Sequence, residues 1–467
     1  MVLIPWDQAM ARSQGSRHRF LNDRCVANAW LASKISRASS DKACVLHASV
    51  LEFQNLVEGD AYLQKLARNM FLEIPPQYTH NPAGEPQIRD FTTLLRVFNT
   101  ILHEGPQFYT SDDETAMGLV GFPITAVLEW PMGTRSGYFF FLVPAVNEAL
   151  RRVLNSWGSF LCSEASLSAL NTENGWLSEP ALKLLADEAN NVVGGRQRTS
   201  DYLSFEELFV CDPGKPYYGF RSWDDFFTRQ FRLGVRPVAS PDHQPTRETP
   251  DPTSVVVNAC ESRPLRKIKD RQSPWTTGVE WEDAFWLKGQ PYSLAHMLNY
   301  APAAHEFIGG GVYQAFLNAF SYHCWHAPVS GRVVDRFVVP GTYFSENFHR
   351  GFANQNLDPD PLAANGSQPF ISSVATRGVV FIEADNKDIG LMAIVFVGMQ
   401  EVSSCEFTVG KGDKVVKGQR IGSFHFGGSS YCLVFRPQTK LDFVTPLDLE
   451  ENLAVNSALA VASAAPS

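Results

Sequence analysis

The texture of the chain changes once, at Ser254, and that change limits its fold more than any other feature. Upstream, apolar residues recur at helical spacing. Val50-Leu51-Glu52-Phe53-Gln54-Asn55-Leu56-Val57 shows it, and so does Ala145 to Leu154, where Leu150, Val153 and Leu154 share one face. Pro180 follows Ser178-Glu179, the pattern of a helix start with proline in the first turn. Downstream, short β-rich runs alternate with Gly and Pro turns: Val255-Val256-Val257, Gly331-Arg332-Val333-Val334, Val379-Val380-Phe381-Ile382 and Leu391 to Val397. Between the two textures lie the polar Gly194-Gly195-Arg196-Gln197-Arg198-Thr199-Ser200, a short helical piece at Trp223 to Phe231, and a Pro-rich loop from Ser240 to Pro252. The expected class is α+β. It comprises a helical N-terminal region over 1–195, a connecting segment over 196–253, a mostly antiparallel β domain over 254–451 and a disordered Ala/Ser-rich tail over 452–467.

Composition narrows the function classes. The net charge of -9 offers no basic face for nucleic acid or anionic lipid. The longest apolar stretches, Tyr138–Val146 and Ile389–Met399, are too short to span a bilayer. Met1 to Trp6 runs into Asp7 without the apolar core of a signal peptide. The cysteines are scattered, with no C-x-x-C pair, which predicts reduced thiols in a cytoplasmic protein and no metal site.

Four local patterns could carry chemistry. In Phe424-His425-Phe426-Gly427-Gly428-Ser429-Ser430-Tyr431, glycine leaves a carbonyl unshielded immediately before a serine hydroxyl. The plain alternative is a Gly/Ser turn joining two strands. Tyr322-His323-Cys324-Trp325-His326-Ala327-Pro328 carries two histidines. On a helix they would share a face, but Pro328 and the Val-rich run favour a strand or loop, where odd spacing sends them to opposite faces and separate roles. Glu261, just past Val255-Val256-Val257, is an acid at a strand end, placed as an acid that orients a histidine would be. Gly398-Met399-Gln400-Glu401-Val402 and the Gly/Lys-punctuated segment after it read as structural turns.

These residues together resemble the phosphatidylserine decarboxylase family. Gly427-Gly428-Ser429-Ser430 is similar to its Leu-Gly-Ser-Thr self-cleavage motif, and Tyr322 to Pro328 to its Tyr-His-x-x-His-x-Pro segment. Phe226-Phe227-Thr228-Arg229 with Arg236-Pro237, and Lys288-Gly289-Gln290-Pro291-Tyr292-Ser293-Leu294, match two further segments in the same order. Ala259 to Ser262, Pro340-Gly341-Thr342-Tyr343-Phe344 and Phe381 to Lys387 resemble the soluble fungal branch that includes L-tryptophan decarboxylases. Glu261 stands where the wider family has Asp, and the fungal branch resembles this chain in having Glu.

The resemblance implies a zymogen that makes its own cofactor. His326, oriented by Glu261, would take the proton from Ser429, whose hydroxyl attacks the Gly428 carbonyl. The resulting ester would split and leave a pyruvoyl group at 429, so no pyridoxal phosphate is expected. The pyruvoyl ketone would form a Schiff base with the substrate amine and take up the electrons as CO₂ leaves, with His323 as proton donor or carboxylate-positioning group. The implied substrate is a free aromatic L-amino acid, tryptophan first, with phenylalanine or tyrosine behind. Tyr343 and Phe344 are candidates to border the pocket, with ordinary packing as the alternative. The two cleavage chains would remain associated, with no nucleic-acid partner and no stable membrane anchor. Other readings are phosphatidylserine decarboxylation, a non-processed binding or scaffold protein, and a serine hydrolase, which lacks a G-x-S-x-G elbow.

Overall fold

A computed structural model of the chain describes residues 24–40, 45–76, 88–108, 123–194, 202–265, 275–279, 281, 293–318, 320–348, 351–352, 367–401, 404–427, 429–447, 449 and 451–464. The Met1 to Trp6 reading, most of the Gly194 to Ser200 boundary and Lys288 to Tyr292 lie outside these residues, as does Gly428.

The upstream half is helical. Ala48–Glu58 buries Val50, Phe53 and Val57, and Pro144–Leu161 buries Val146, Leu150, Val153, Leu154 and Trp157, so each apolar stripe faces one shared core. Side chains begin several of these helices. Asp60 accepts from the amides of Tyr62 and Leu63, Asp90 from Thr93, and Thr134 from Gly137. Glu179–Asn190 starts where Ser178-Glu179-Pro180 predicts.

The downstream half is built from antiparallel sheets. The largest runs in the order Lys414–Val415, Gly331–Val339, Arg377–Ala384, Leu391–Gly398, Ser429–Phe435, Gly311–Leu317, Arg263–Pro264, with Trp275–Thr277 also paired to Gly311–Leu317. Ser429–Phe435 is hydrogen-bonded on both sides, Ser429 lying opposite Leu317 and Gly398. Its side chains alternate between two cores: Tyr431, Leu433 and Phe435 enter one, Cys432 and Val434 the other. That two-sided burial explains why the strand reads as a nearly unbroken apolar run. A smaller sheet pairs Ser404–Phe407, Arg420–His425 and Cys324–His326 in that order.

The tail is a correction to the sequence-based expectation. Residues 452–467 were expected to be disordered, yet Ala458–Ala464 is a strand between Thr439–Phe443 and Val255–Val257. Asn452–Leu453 pairs in parallel with Val192–Val193 at the end of the helical half. Alanine and serine weaken the local signal, but small side chains suit a strand pressed between two partners, and Ala460 and Ala462 are buried in the sheet core.

Candidate active site

Phe426 and Gly427 connect the small sheet to the large one, just ahead of Ser429. Both have positive φ, 62° and 119°. Gly427 tolerates this freely, whereas a phenylalanine in the left-handed region stores of order 1–3 kcal/mol that the surroundings must offset. Those surroundings are aromatic: the Phe426 ring lies within 6.0–6.3 Å of Trp157, Trp223 and Phe227. At Gly158 a Cβ would come 3.0 Å from the Phe426 ring, so glycine there makes room for it. The turn is thus plugged into the helical core.

Ser429 is fully buried, and its Oγ lies 3.4 Å from Nδ1 of His323, also fully buried. Phe227 stacks on the imidazole with centroids 4.4 Å apart at 21°, and Trp223 stacks on Phe227 at 5.0 Å and 24°. The His323 carbonyl accepts from the Phe424 amide, tying the loop before Cys324–His326 to the strand that leads to the turn.

The expected chain of contacts from Glu261 through His326 to Ser429 is not assembled. The two histidines diverge: His326 ends the strand Cys324–His326, while His323, in the loop ahead of it, faces Ser429. His326 shares a side with Tyr322: its Nε2 lies 3.0 Å from the Tyr322 hydroxyl and its Nδ1 2.7 Å from the Gly418 carbonyl. A carbonyl only accepts, so Nδ1 carries the proton and Nε2 receives the phenol's. Burial pushes the His326 pKa down to about 4, with Arg420 adding to the shift and the Gly418 bond opposing it, so the ring is neutral. Glu261 is held elsewhere. Its carboxylate accepts from Arg236 Nε at 3.0 and 3.2 Å, from Arg236 Nη2 and from the Val455 amide at 2.8 Å. Both side chains of that pair are buried.

Tyr343 and Phe344 are almost wholly buried and join the helical core cluster. The Tyr343 amide donates to Asn147 Oδ1, its carbonyl accepts from Gln400, and Phe344 lies 6.4 Å from Phe141. In this arrangement their rings fill the joint between the two halves.

Two further acidic contacts give His425 and Glu401, both in segments singled out in the sequence, partners that no local spacing announces. His425 places Nδ1 2.7 Å from Asp224 Oδ1 and Nε2 2.7 Å from Glu406 Oε2. A carboxylate on each nitrogen requires a proton on each, so His425 is an imidazolium. Burial alone would lower its pKa, but the two carboxylates outweigh burial and raise it. Glu401, three residues past the Gly398 that faces Ser429, is buried and accepts from the Thr125 amide and hydroxyl at 2.7 and 2.8 Å. Burial pushes its carboxyl up to about 7, against the opposing bonds from the first turn of Pro123–Met132.

Phosphatidylserine decarboxylase profiles match residues 47–185 and 223–456. A decarboxylase of Amanita muscaria, iboD, is 39% identical over 76% of this chain and 96% of its own length. This chain belongs to the phosphatidylserine decarboxylase family. An L-tryptophan decarboxylase of Psilocybe cubensis is 34% identical over 89% of this decarboxylase and 86% of its own length. Phosphatidylserine decarboxylase proenzyme 3 of Schizosaccharomyces pombe is 26% identical over 55% of it and 22% of its own length. The protein is therefore a carboxy-lyase, and the helical half belongs to the family's own architecture. No helix among the described residues is long and apolar enough to cross a membrane.

Proposed function

We propose that this decarboxylase cuts itself between Gly428 and Ser429 and then releases CO₂ from a free aromatic L-amino acid, L-tryptophan first among them. The observation that carries the self-cleavage is the buried Ser429 hydroxyl facing an imidazole nitrogen 3.4 Å away, directly after a positive-φ turn. Catalytic hydrogen bonds are often this long before the reacting geometry closes. His323 is the base this geometry supports.

The chemistry balances within the chain. As His323 takes the hydroxyl proton, Ser429 Oγ bonds to the Gly428 carbonyl carbon, the peptide C–N bond breaks, and the proton passes to the freed amine. Loss of the Ser429 α-proton and cleavage of Cβ–O then leave the Gly428 carboxylate and a dehydroalanine. Water replaces its nitrogen, ammonia departs, and a pyruvoyl group stands at 429. Ser429 fits that fate: it is buried, flanked by a base and preceded by glycine. A pyruvoyl carbonyl supplies an electron sink for an amine substrate losing CO₂. His323, beside position 429, would hold the proton that replaces the carboxyl.

Cleavage would divide the 467 residues into chains of 428 and 39. The small chain would keep Ser429–Phe435 inside the large sheet and Ala458–Ala464 inside a second, which supports lasting association. Similarity to an L-tryptophan decarboxylase along most of both chains supports the substrate class.

A denaturing gel tests the cut: two chains are expected for the wild type and one for Ser429→Ala. Two chains in the mutant would sink self-cleavage, and one chain in both would favour a non-processed scaffold. Release of CO₂ is then compared for tryptophan, phenylalanine, tyrosine and phosphatidylserine vesicles. Turnover of the vesicles alone would overturn the amino-acid reading.

A further inference from the structure

The five-residue helix Trp223–Phe227 touches both sides of the turn. Asp224 and Phe227 are three residues apart and so project to neighbouring positions on one helix face. Asp224 grips His425, upstream of the Gly428–Ser429 bond, while Phe227 lies flat on His323, the partner of the serine downstream of it. Trp223 backs Phe227, on which it stacks, and lies 6.0 Å from Phe426 in the turn.

The helix is itself fixed to the helical half. The Trp223 amide donates to Ser166 Oγ at 2.8 Å, and buried Ser222 caps the helix by accepting from the Asp225 amide at 3.1 Å. Trp176, from the same half, meets the Trp223 ring edge-on at 6.3 Å. A short helix with this anchorage transmits the rigidity of the helical core to both sides of one turn.

Resting on the self-cleavage reading above, we infer that Trp223–Phe227 is a jig for that cleavage. Asp224 holds His425 and Phe227 holds His323, so that the Ser429 hydroxyl and the bond before it meet in register. Asp224, Phe227 and His425 are positioning residues; none is assigned a bond-making role. The ion pair has a sheltered side and an open side. The side chains of His425 and Asp224 are 11% and 18% exposed and that of Glu406 is 64%, so Asp224 is the dominant carboxylate and Glu406 the minor one.

The test is a time course of cleavage in freshly synthesised full-length chain, read as the fraction converted to the two fragments. A displacement of about 1 Å in reacting groups costs up to about 100-fold, so Asp224→Asn, His425→Gln and Phe227→Leu should slow cleavage by roughly 10- to 100-fold. Glu406→Gln, at an exposed position that folding tolerates, should slow it by roughly twofold to fivefold. His425→Lys restores a cation between the carboxylates, and Phe227→Tyr restores a stacking ring; each should recover most of the rate. The same substitutions in a Ser429→Ala background report folding separately, as melting temperature of a chain that cannot be cut. Slowed cleavage with little change in melting, and rescue by the conservative variants, is the expected result. Cleavage at the wild-type rate in Asp224→Asn and Phe227→Leu overturns the jig and leaves self-cleavage standing. Slowing that follows the loss of melting temperature, without rescue, also overturns the jig. A wild-type chain that stays intact overturns the self-cleavage reading and the jig with it.

Discussion

His323 presents Nδ1 to Ser429 Oγ at 3.4 Å, while His326, three residues along, turns both ring nitrogens to other partners. The two histidines should therefore separate cleanly in mutants. His323→Ala is expected to slow self-cleavage by about 10²–10⁴-fold, the usual contribution of a positioned base. His326→Ala should still be cut. Gel time courses of the two variants decide it, and a blocked His326→Ala beside a normally cut His323→Ala would refute the assignment.

Glu261 and Arg236 form a buried ion pair that also holds the Val455 amide. Removing one partner strands a charge, so Glu261→Gln should cost roughly 3–5 kcal/mol, whereas Glu261→Leu with Arg236→Met should recover much of that loss. Denaturant unfolding of the uncleavable Ser429→Ala chain measures both. Equal losses in the single and double variants would show that the pair does not act as a unit.

Two histidines should shape opposite limbs of the stability–pH curve. His326 has its folded pKa lowered from 6.5 to about 4, so its contribution is complete above 6.5 and fades as pH falls towards 4. His425 has its folded pKa raised, so its contribution is complete below its unfolded value and disappears as pH rises through the folded one. The groups facing it are Asp224 and Glu406, with the Cys162 thiol near both carboxylates. Melting of the Ser429→Ala chain against pH should lose its alkaline limb in His425→Gln and part of its acid limb in His326→Ala. An unchanged curve in both would contradict these environments.

Glu401 gives a third pH signature. Burial raises its carboxyl to about 7, so ionisation destabilises the fold as pH climbs from the ordinary carboxylate range to that value. Glu401→Gln should therefore compare more favourably with the parent at pH 8 than at pH 5. A difference in melting temperature independent of pH would rule this out.

The small chain should not leave after the cut. It would carry a strand paired on both sides and another lodged between Val255–Val257 and Thr439–Phe443. Gel filtration of the cleaved protein should give one native peak containing both chains, separable only by denaturant. A free 39-residue fragment under native conditions would contradict it.

The division into helices and antiparallel strands was legible because Pro144–Leu161 carries the 3.6 period, while the downstream half breaks into short β-rich runs separated by Gly and Pro turns. The tail was not, because Ala458–Ala464 draws its order from Val255–Val257 and Thr439–Phe443 rather than from its own side chains. Ser429 and the diverging histidines stood out locally. Their surroundings did not: Asp224 and His425 lie 201 positions apart, and no local pattern joins them. The same limit hid the Arg236 claim on Glu261, since an acid at a strand end looks alike whether it orients a histidine or closes on an arginine.

The strand from Ala458 to Ala464 also sets an order in time. It fills the place beside Val255–Val257, and just before it Val455 supplies the amide held by Glu261. Both lie downstream of the Gly428–Ser429 bond. A chain lacking them leaves one sheet open and Glu261 short of a partner, however long its earlier parts have had to fold. Maturation would then wait on segments that lie beyond the bond to be cut.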